Sequence, residues 1–394
     1  MVPDVQAARR QGGDLSNAAP LRVCHVTPTY FAAESYLGGG ERFAEELARA
    51  MARRADVKLV SFGRRARRER IGPAYERVIL RSWSRQKMVP FSPWLGRELR
   101  GADVVHCHQY YVLPTFLAAL LGHRQGSRVF VSDLGGGAWT PGFHVDQSRW
   151  ISGHLPISDY AARTLPGRPR PYRVIFCGVD LERYPRRPVP EHDGSAVSLG
   201  RILPHKGLHF LIAGLPPGMT LHVVGSALDA AYLERLRALA AGKDVRFHLG
   251  LADAEVIAIL QRAMALVHPT PVDPGGNARE HELFGLAPVE AMACGCPVVA
   301  SRAASLPEIV EHERTGFLVP PNDPPAIAAA LSRLAGDPGL WRQLSAQARR
   351  RVETRFTWDQ VADRCLAAYA AAAETGVPSA APTVASARRA GERP

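Results

Sequence analysis

The chain has 394 residues, 46% hydrophobic and 22% charged, enough for two domains of about 100–200 residues each and for sizeable cores. Such proportions exclude a disordered tail protein, a collagen-like fibre and a small disulfide scaffold. The net charge of +12 is lopsided, with 29 Lys and Arg against 16 Asp and Glu in residues 1–190, but 20 against 21 in residues 191–394.

The first twenty residues lack the apolar stretch of a secretory signal and are expected to form a disordered tail. The longest nearly apolar stretch, Tyr111 to Gly122, has 12 residues and contains Pro114, whereas a spanning helix needs about 20. Of six cysteines only Cys294 and Cys296 are close, as C-x-C rather than a zinc or redox C-x-x-C. The chain is therefore expected to be soluble, reduced and cytoplasmic.

In chain order, a strand is predicted over 21–27 (LRVCHVT), leading to Gly38-Gly39-Gly40 and a helix over Glu41–Arg54. Within that helix Phe43, Leu47, Ala50 and Met51 recur at helical spacing. Further strands are predicted over 56–62, 76–83, 103–108, 128–133, 155–158 and 172–177. A turn-rich polar linker follows at 184–194. A second series of strands is predicted over 196–201, 220–225, 244–250, 264–269 and 297–301, separated by helix-sized amphipathic segments. Alternation of this kind gives an α/β fold of two Rossmann-like domains, each a parallel sheet covered by helices, facing a cleft. Ligands then sit outside the carboxyl ends of the strands. The expected boundaries are 21–186 for the first domain and 187–355 for the second. A closing helix over 356–374 and a second disordered, Pro/Ala/Ser-rich tail over 375–394 complete the chain.

Lys58 to Arg100 carries 12 basic residues against Glu69, Glu76 and Glu98. Such a one-sided field suits an anionic partner such as a lipid surface, an acidic substrate or nucleic acid. Trp83, Phe91 and Trp94 interleave with the cations, as in a surface that sits among lipid headgroups. The alternative is that Trp83 and Trp94 fill the core and the arginines form a solvated face.

Two motifs carry chemistry. Gly200-Arg201-Ile-Leu-Pro-His-Lys206-Gly207 lies where a strand ends and a helix begins. There Arg offers a bidentate fork, Lys a compact charge and the helix free N–H groups, which together suit a diphosphate. The second is Glu282-Leu-Phe-Gly-Leu-Ala-Pro-Val-Glu290, with Gly295 and Pro297 ending the helix that carries Glu290. The two carboxylates can address different parts of one extended ligand; otherwise Glu290 is a buried or capping acid and Glu282 an exposed one. No Asp-x-Asp occurs, and Asp253-Ala-Glu255 reads as helix capping. A diphosphate held at the first motif would be met by the two cations and helix dipoles. His106 and His108 alternate on one strand and could share a face as metal ligands, but no third ligand is apparent in the sequence, and no metal is expected.

GRILPHKG, ELFGLAPVEAMACGCPVVAS and EHERTGFLVPPNDP together resemble family-4 glycosyltransferases of the two-Rossmann-domain (GT-B) architecture. GGGERFAEELARAMARR resembles that family's acceptor-side Gly-rich loop and first helix, and RFTWDQVADRCLAAY its closing helix. The resemblance implies a retaining, metal-independent transferase with no cofactor, moving a sugar from a nucleoside diphosphate sugar to a hydroxyl acceptor, lipid-linked or soluble. Arg201 and Lys206 would hold the diphosphate, Glu290 the ribose hydroxyls and Glu282 the donor sugar. Backbone groups of Phe284, Gly285 and Leu286 would approach sugar and phosphate, and Leu251 would lie where the base is read. Gly38, Gly39, Gly40, His108, Gly135 and His144 would form the acceptor side. Where the family often has a histidine near the reacting sugar this chain has Asp133, and Asp133, His144 and His154 all stand as replacements. A sugar-nucleotide epimerase of the same architecture is the alternative, and nucleic-acid binding a remote one.

Overall fold

The computed structural model describes residues 19–28, 39–84, 86, 89–135, 145–165, 172–187, 191–272 and 282–374. The first sheet contains β1 (Arg22–Val26), β2 (Asp56–Gly63), β3 (Arg67–Gly72), β4 (Tyr75–Arg81), β5 (Val104–His108), β6 (Arg128–Ser132) and β7 (Gly153–His154). They lie in the order β3-β4-β2-β1-β5-β6-β7, all parallel except the β3–β4 pair. Helices α1 (Gly39–Met51), α2 (Leu95–Glu98), α3 (Leu113–Arg124) and α4 (Asp159–Thr164) lie between or after these strands.

The second sheet contains β8 (Ala196–Leu199), β9 (Leu221–Val224), β10 (Val245–His248), β11 (Ala265–His268), β12 (Val298–Ser301) and β13 (Gly316–Val319). Its order is β10-β9-β8-β11-β12-β13, parallel throughout. Helices α5 (Leu208–Ala213), α6 (Ala230–Leu239), α7 (Asp253–Arg262), α8 (Leu286–Ala293) and α9 (Leu306–Ile309) accompany it. The chain continues through α10 (Pro324–Gly336), α11 (Pro338–Arg355) and α12 (Trp358–Glu374).

With the β3 edge strand set aside, each sheet has the doubly wound order 3-2-1-4-5-6 in its own chain order. The switch points fall between β1 and β5 and between β8 and β11, and both chemical motifs of the second half are placed by the latter. The central strands are apolar runs buried on both faces: Leu59, Val60 and Phe62 of β2 and all of β11 are almost wholly inaccessible.

Two predicted strands do not form. Residues 155–158 follow the short β7 as an irregular segment, because Pro156 has no N–H to extend the ladder. Ser158 instead caps α4, accepting from the Ala161 N–H at 2.8 Å. Residues 172–177 run alongside with a single bridge, Tyr172 to His154, and their apolar side chains pack between the domains. Three strands fall outside the predicted ranges: β7, just before 155–158, β3 and β13. β3 is arginine-rich and holds a sheet edge, where charge is tolerated and blunts further pairing. β13 is a four-residue run paired with β12.

The closing helix starts at Trp358, after a Thr357-x-x-Gln360 capping box. It crosses back onto α1 of the first domain, burying Val361, Ala362, Cys365 and Tyr369. Asp359 pairs there with Arg53 (2.9 Å) and Arg54 (2.8 Å). Phe176, Phe284 and Phe356 meet where the chain passes between domains. Trp83 and Trp94 are 65% and 57% exposed, so they do not fill the core. The basic segment is partly self-neutralised: Arg67 and Arg77 pair with Glu69, and Arg68 with Glu76 and Glu98. The expected tails, apart from Ala19 and Pro20, lie outside the described residues, as do Gly38, Gly136, Gly137 and His144.

Candidate functional site

The carboxyl end of β8 turns through Gly200 and Arg201 into a single 3-10 turn, Pro204–Lys206, and then α5. Gly207 joins them at φ +69°, and a Cβ there would lie 1.9 Å from the Pro269 carbonyl oxygen. Only glycine allows this turn to settle on the segment after β11. That contact sets Lys206 beside His268, the last residue of β11. Arg201, Lys206 and His268 line one small pocket at the switch point.

Glu282, on the loop before α8, meets two of these residues. Its Oε2 accepts from Lys206 Nζ at 2.6 Å and from His268 Nε2 at 2.8 Å. Burial alone would raise its pKa, but Lys206 and His268 overcome that and hold the carboxyl well below the usual range. An ionised carboxylate only accepts, so His268 carries its proton on Nε2. The backbone of the same loop is pinned by Ser305, whose hydroxyl lies 2.7 Å from Glu282 O and 2.8 Å from Phe284 O. Gly285 then N-caps α8 at φ +104°, a conformation suited to glycine. Leu286 and Ala287 open the helix with N–H groups that have no intrahelical partner. The Phe284 side chain is core, 3% exposed, so only its backbone faces the site.

Glu290, one turn into α8, has a different environment. Tyr184 Oη donates to its Oε1 at 2.8 Å, and Arg42 Nη1 of α1 stands 3.8 Å from the same oxygen. Burial raises its pKa, against the pull of Tyr184, Arg42 and Arg183. Asp253 joins this group through Arg42 (3.3 Å) and Arg183. The Asp253-Ala-Glu255 expectation therefore divides: Glu255 caps α7 by accepting from the Ala252 N–H at 2.9 Å, whereas Asp253 bridges the domains. Leu251 precedes that helix, half-buried.

On the facing side, Asp133, directly after β6, is almost fully buried, and its Oδ1 accepts from the Tyr110 N–H at 3.3 Å. It ties the loops after β5 and β6 together. Gly135 lies against Leu283, so this loop meets the Glu282 loop directly. Ser158 Oγ adds a 2.6 Å bond to Leu283 O. His154 is a core histidine packed edge-on to Tyr110, its pKa pushed down to about 4 by burial.

Several expectations are corrected here. Gly39 and Gly40 belong to the first turn of α1 rather than to a loop. His108 is the last residue of β5, wholly buried, with its Nε2 2.9 Å from His25 Nδ1. It cannot contact an acceptor there. The apparent lack of a third histidine is also overturned, because β1 pairs with β5 and sets His25 beside His106. His268, Ser305, Tyr184 and Arg42 were not singled out in the sequence. His268 had a signal, a polar residue at the end of an apolar strand beside the switch point; the others had none.

The family model described as "Glycosyltransferase Family 4" matches residues 37–183, and that described as "Glycosyl transferases group 1" matches residues 183–351. A glycogen synthase of Mycobacterium tuberculosis is 34% identical over 211 residues, covering 50% of this chain and 48% of that protein. A D-inositol 3-phosphate glycosyltransferase of Streptomyces bingchenggensis is 33% identical over 255 residues, covering 57% and 53%. The chain thus spans about half the length of the curated relatives it matches. The sucrose-phosphate synthase structure from Thermosynechococcus elongatus has a TM-score of 0.70 at 20% identity, covering 90% of this chain and 100% of that one. A Rickettsia africae glycosyltransferase has a TM-score of 0.70 at 15% identity, with coverage of 90% and 99%. Those two likenesses concern the fold alone. The two family models meet at residue 183 between the two sheets and together take in residues 37–351, and the chain belongs to the family-4 glycosyltransferases of GT-B architecture.

Proposed function

We propose that this protein transfers a sugar, with retention at the anomeric carbon, from a nucleoside diphosphate sugar to a hydroxyl acceptor. The observation that carries the reading is the Lys206–Glu282–His268 cluster at the β8/β11 switch point, directly before the α8 N-terminus. Lys206 and Arg201 bind the diphosphate, with the first N–H groups of α8 adding oriented dipoles to the charge that grows as the glycosidic bond breaks. Glu282 accepts from hydroxyls of the donor sugar, and Glu290 from the ribose. The leaving phosphate oxygen takes the acceptor proton on the face from which it departs, so no divalent ion is needed at the diphosphate. Asp133, buried after β6 and bonded to the Tyr110 N–H, positions the loop that meets Leu283 beside the donor sugar.

Relatives named for inositol phosphate and for a phosphatidylinositol mannoside support a phosphorylated polyol or its lipid as acceptor. Exposed Trp83 and Trp94 beside arginines favour the lipid. No helix among the described residues is long and apolar enough to cross a membrane, so contact would be peripheral. Incubation with a panel of sugar nucleotides, with the anomeric configuration of the product read by NMR, tests the reaction. An inverted product, or no turnover or slow hydrolysis of any donor, refutes it. Flotation with anionic and neutral liposomes tests the surface; absence of flotation on anionic vesicles at low salt refutes that part.

A further inference from the structure

The switch point of the first sheet holds a group that the transfer reaction does not use. His25 at β1 and His106 and His108 on β5 are each 0% exposed. Their rings lie 4.5–5.2 Å apart by centroid, and one nitrogen from each falls within 4.8 Å of the others. Phe43 of α1 and Tyr369 of α12 close over them.

Hydrogen bonding among these side chains does not balance. His106 is satisfied at both nitrogens, by Ser132 Oγ at 2.8 Å and Tyr369 Oη at 2.7 Å. His25 and His108 share one proton across 2.9 Å, which leaves His25 Nε2 and His108 Nδ1 buried with no partner among the described residues. Whichever way the shared proton points, one orphan is an N–H and the other a lone pair. An apolar core gains nothing from such a trio, since each unmet group keeps its desolvation cost.

We infer that His25, His106 and His108 form a tri-histidine site for a divalent transition-metal ion of the zinc class. Neutral imidazole is the ligating form, and three imidazoles suit zinc, copper, iron or nickel rather than magnesium or calcium. Zinc–nitrogen bonds of about 2.0–2.1 Å put tetrahedral ligand atoms about 3.3 Å apart, beside the 4.8 Å within which one nitrogen of each ring now lies. Ser132 holds His106 Nε2, fixing the ring as an outer hydrogen-bond partner does in metal sites. His106 then presents Nδ1, the nitrogen facing Tyr369. The ion is structural: it joins β1 to β5 beneath α12, whose Tyr369 Oη gives up its bond to His106 Nδ1 when the ion is held there. It is separate from the diphosphate pocket, which lies on the second sheet.

The full chain, unfolded with chelator and refolded with or without Zn2+, tests this by metal analysis, thermal melting and Co2+ absorption. The expected result is one ion per chain, a higher Tm with Zn2+, and nitrogen-ligated Co2+ bands. His25→Gln should weaken binding by more than about 100-fold, beyond the 10–100-fold that loss of an outer partner costs, while nucleoside diphosphate binding persists. If the variant fails to fold, the wild-type stoichiometry and Co2+ spectrum decide alone. Wild-type protein that binds no ion, or Co2+ bands that survive in a folded His25→Gln, overturns the inference.

Discussion

Glu282→Gln separates the two groups that compete for Lys206. In the unliganded protein Lys206 Nζ is 2.6 Å from the carboxylate, with side-chain exposures of 19% and 16%. Unit charges at 4 Å attract by about 4 kcal/mol at an effective dielectric of 20. Desolvation takes back part of this, and a hydrogen bond to a charged group is worth about 1.5–3 kcal/mol net. The glutamine variant should lose about that much stability when nothing is bound. A diphosphate supplies Lys206 with a new anion, but in the wild type it must displace and repel Glu282. Without the carboxylate that opposition disappears, so nucleoside diphosphate should bind about 10-fold tighter, a gain of about 1.4 kcal/mol. Turnover should nevertheless fall by about 100-fold or more, because the anionic acceptor for the donor sugar is gone. Calorimetry with nucleoside diphosphate, beside steady-state rates and thermal melts, reads all three. Weaker nucleotide binding in the variant would show that Glu282 supports the phosphate site rather than opposing it.

Lys206→Ala should cut turnover about 100- to 1000-fold, and adding Mg2+ or Mn2+ should not restore it; rescue by either ion in rate assays would contradict a diphosphate neutralised by protein cations. Tyr184→Phe removes the bond to Glu290 Oε1 and should weaken nucleoside diphosphate binding by about 1 kcal/mol, with an unchanged calorimetric affinity counting against Glu290 as the ribose acceptor. Burial holds His25 near a pKa of about 3, His154 near about 4, and His106 and His108 well below the ordinary value. The unfolded chain therefore binds more protons below about pH 6.5, and stability should fall with pH from there by up to about 1.4 kcal/mol per unit per histidine. The depressed Glu282 adds a further loss only below about pH 4.3; denaturant melts that stay flat from pH 7 to 5 would contradict the neutral buried histidines.

The two-sheet architecture was legible because buried parallel strands are short, nearly unbroken apolar runs, as VKLV, VVHCH and ALVH show. The failures have local causes. β3 was invisible because RRERIG is written by its edge position, not by a core. Residues 172–177 read as a strand because their apolar content serves the domain interface instead of a ladder. At the site, Glu282, Glu290, Arg201 and Lys206 lie around a turn and a helix start, but it was the family resemblance, not their spacing alone, that singled them out. Tyr184 and Arg42 could not be singled out, since their importance arises only when the linker and α1 fold over Glu290. His25 was hidden for the same reason: β1 and β5 are about eighty residues apart in sequence, and only their parallel register makes it a neighbour of His106.

The two switch points divide the labour of the molecule. In the second sheet, glycine turns let charged residues reach the mouth, where Lys206 and Glu282 neutralise each other. In the first sheet, the equivalent crossing is sealed beneath α1 and α12, and its polar residues face inward as the three histidines. The two ends are linked by α12 and by the Arg42–Glu290 and Ser158–Leu283 contacts, which join the domains on either side of the cleft. Arg42 is shared between Glu290 and Asp253, so ribose hydroxyls binding Glu290 would compete with a contact that holds the domains together. If Glu290 takes the ribose as proposed, nucleotide binding would alter its hold on Arg42 of α1. Gly135, on the loop after β6, packs on Leu283 next to Glu282. On the proposed reading, contacts at the ribose end of the nucleotide bear on the same interdomain seam that Leu283 and Gly135 form beside Glu282.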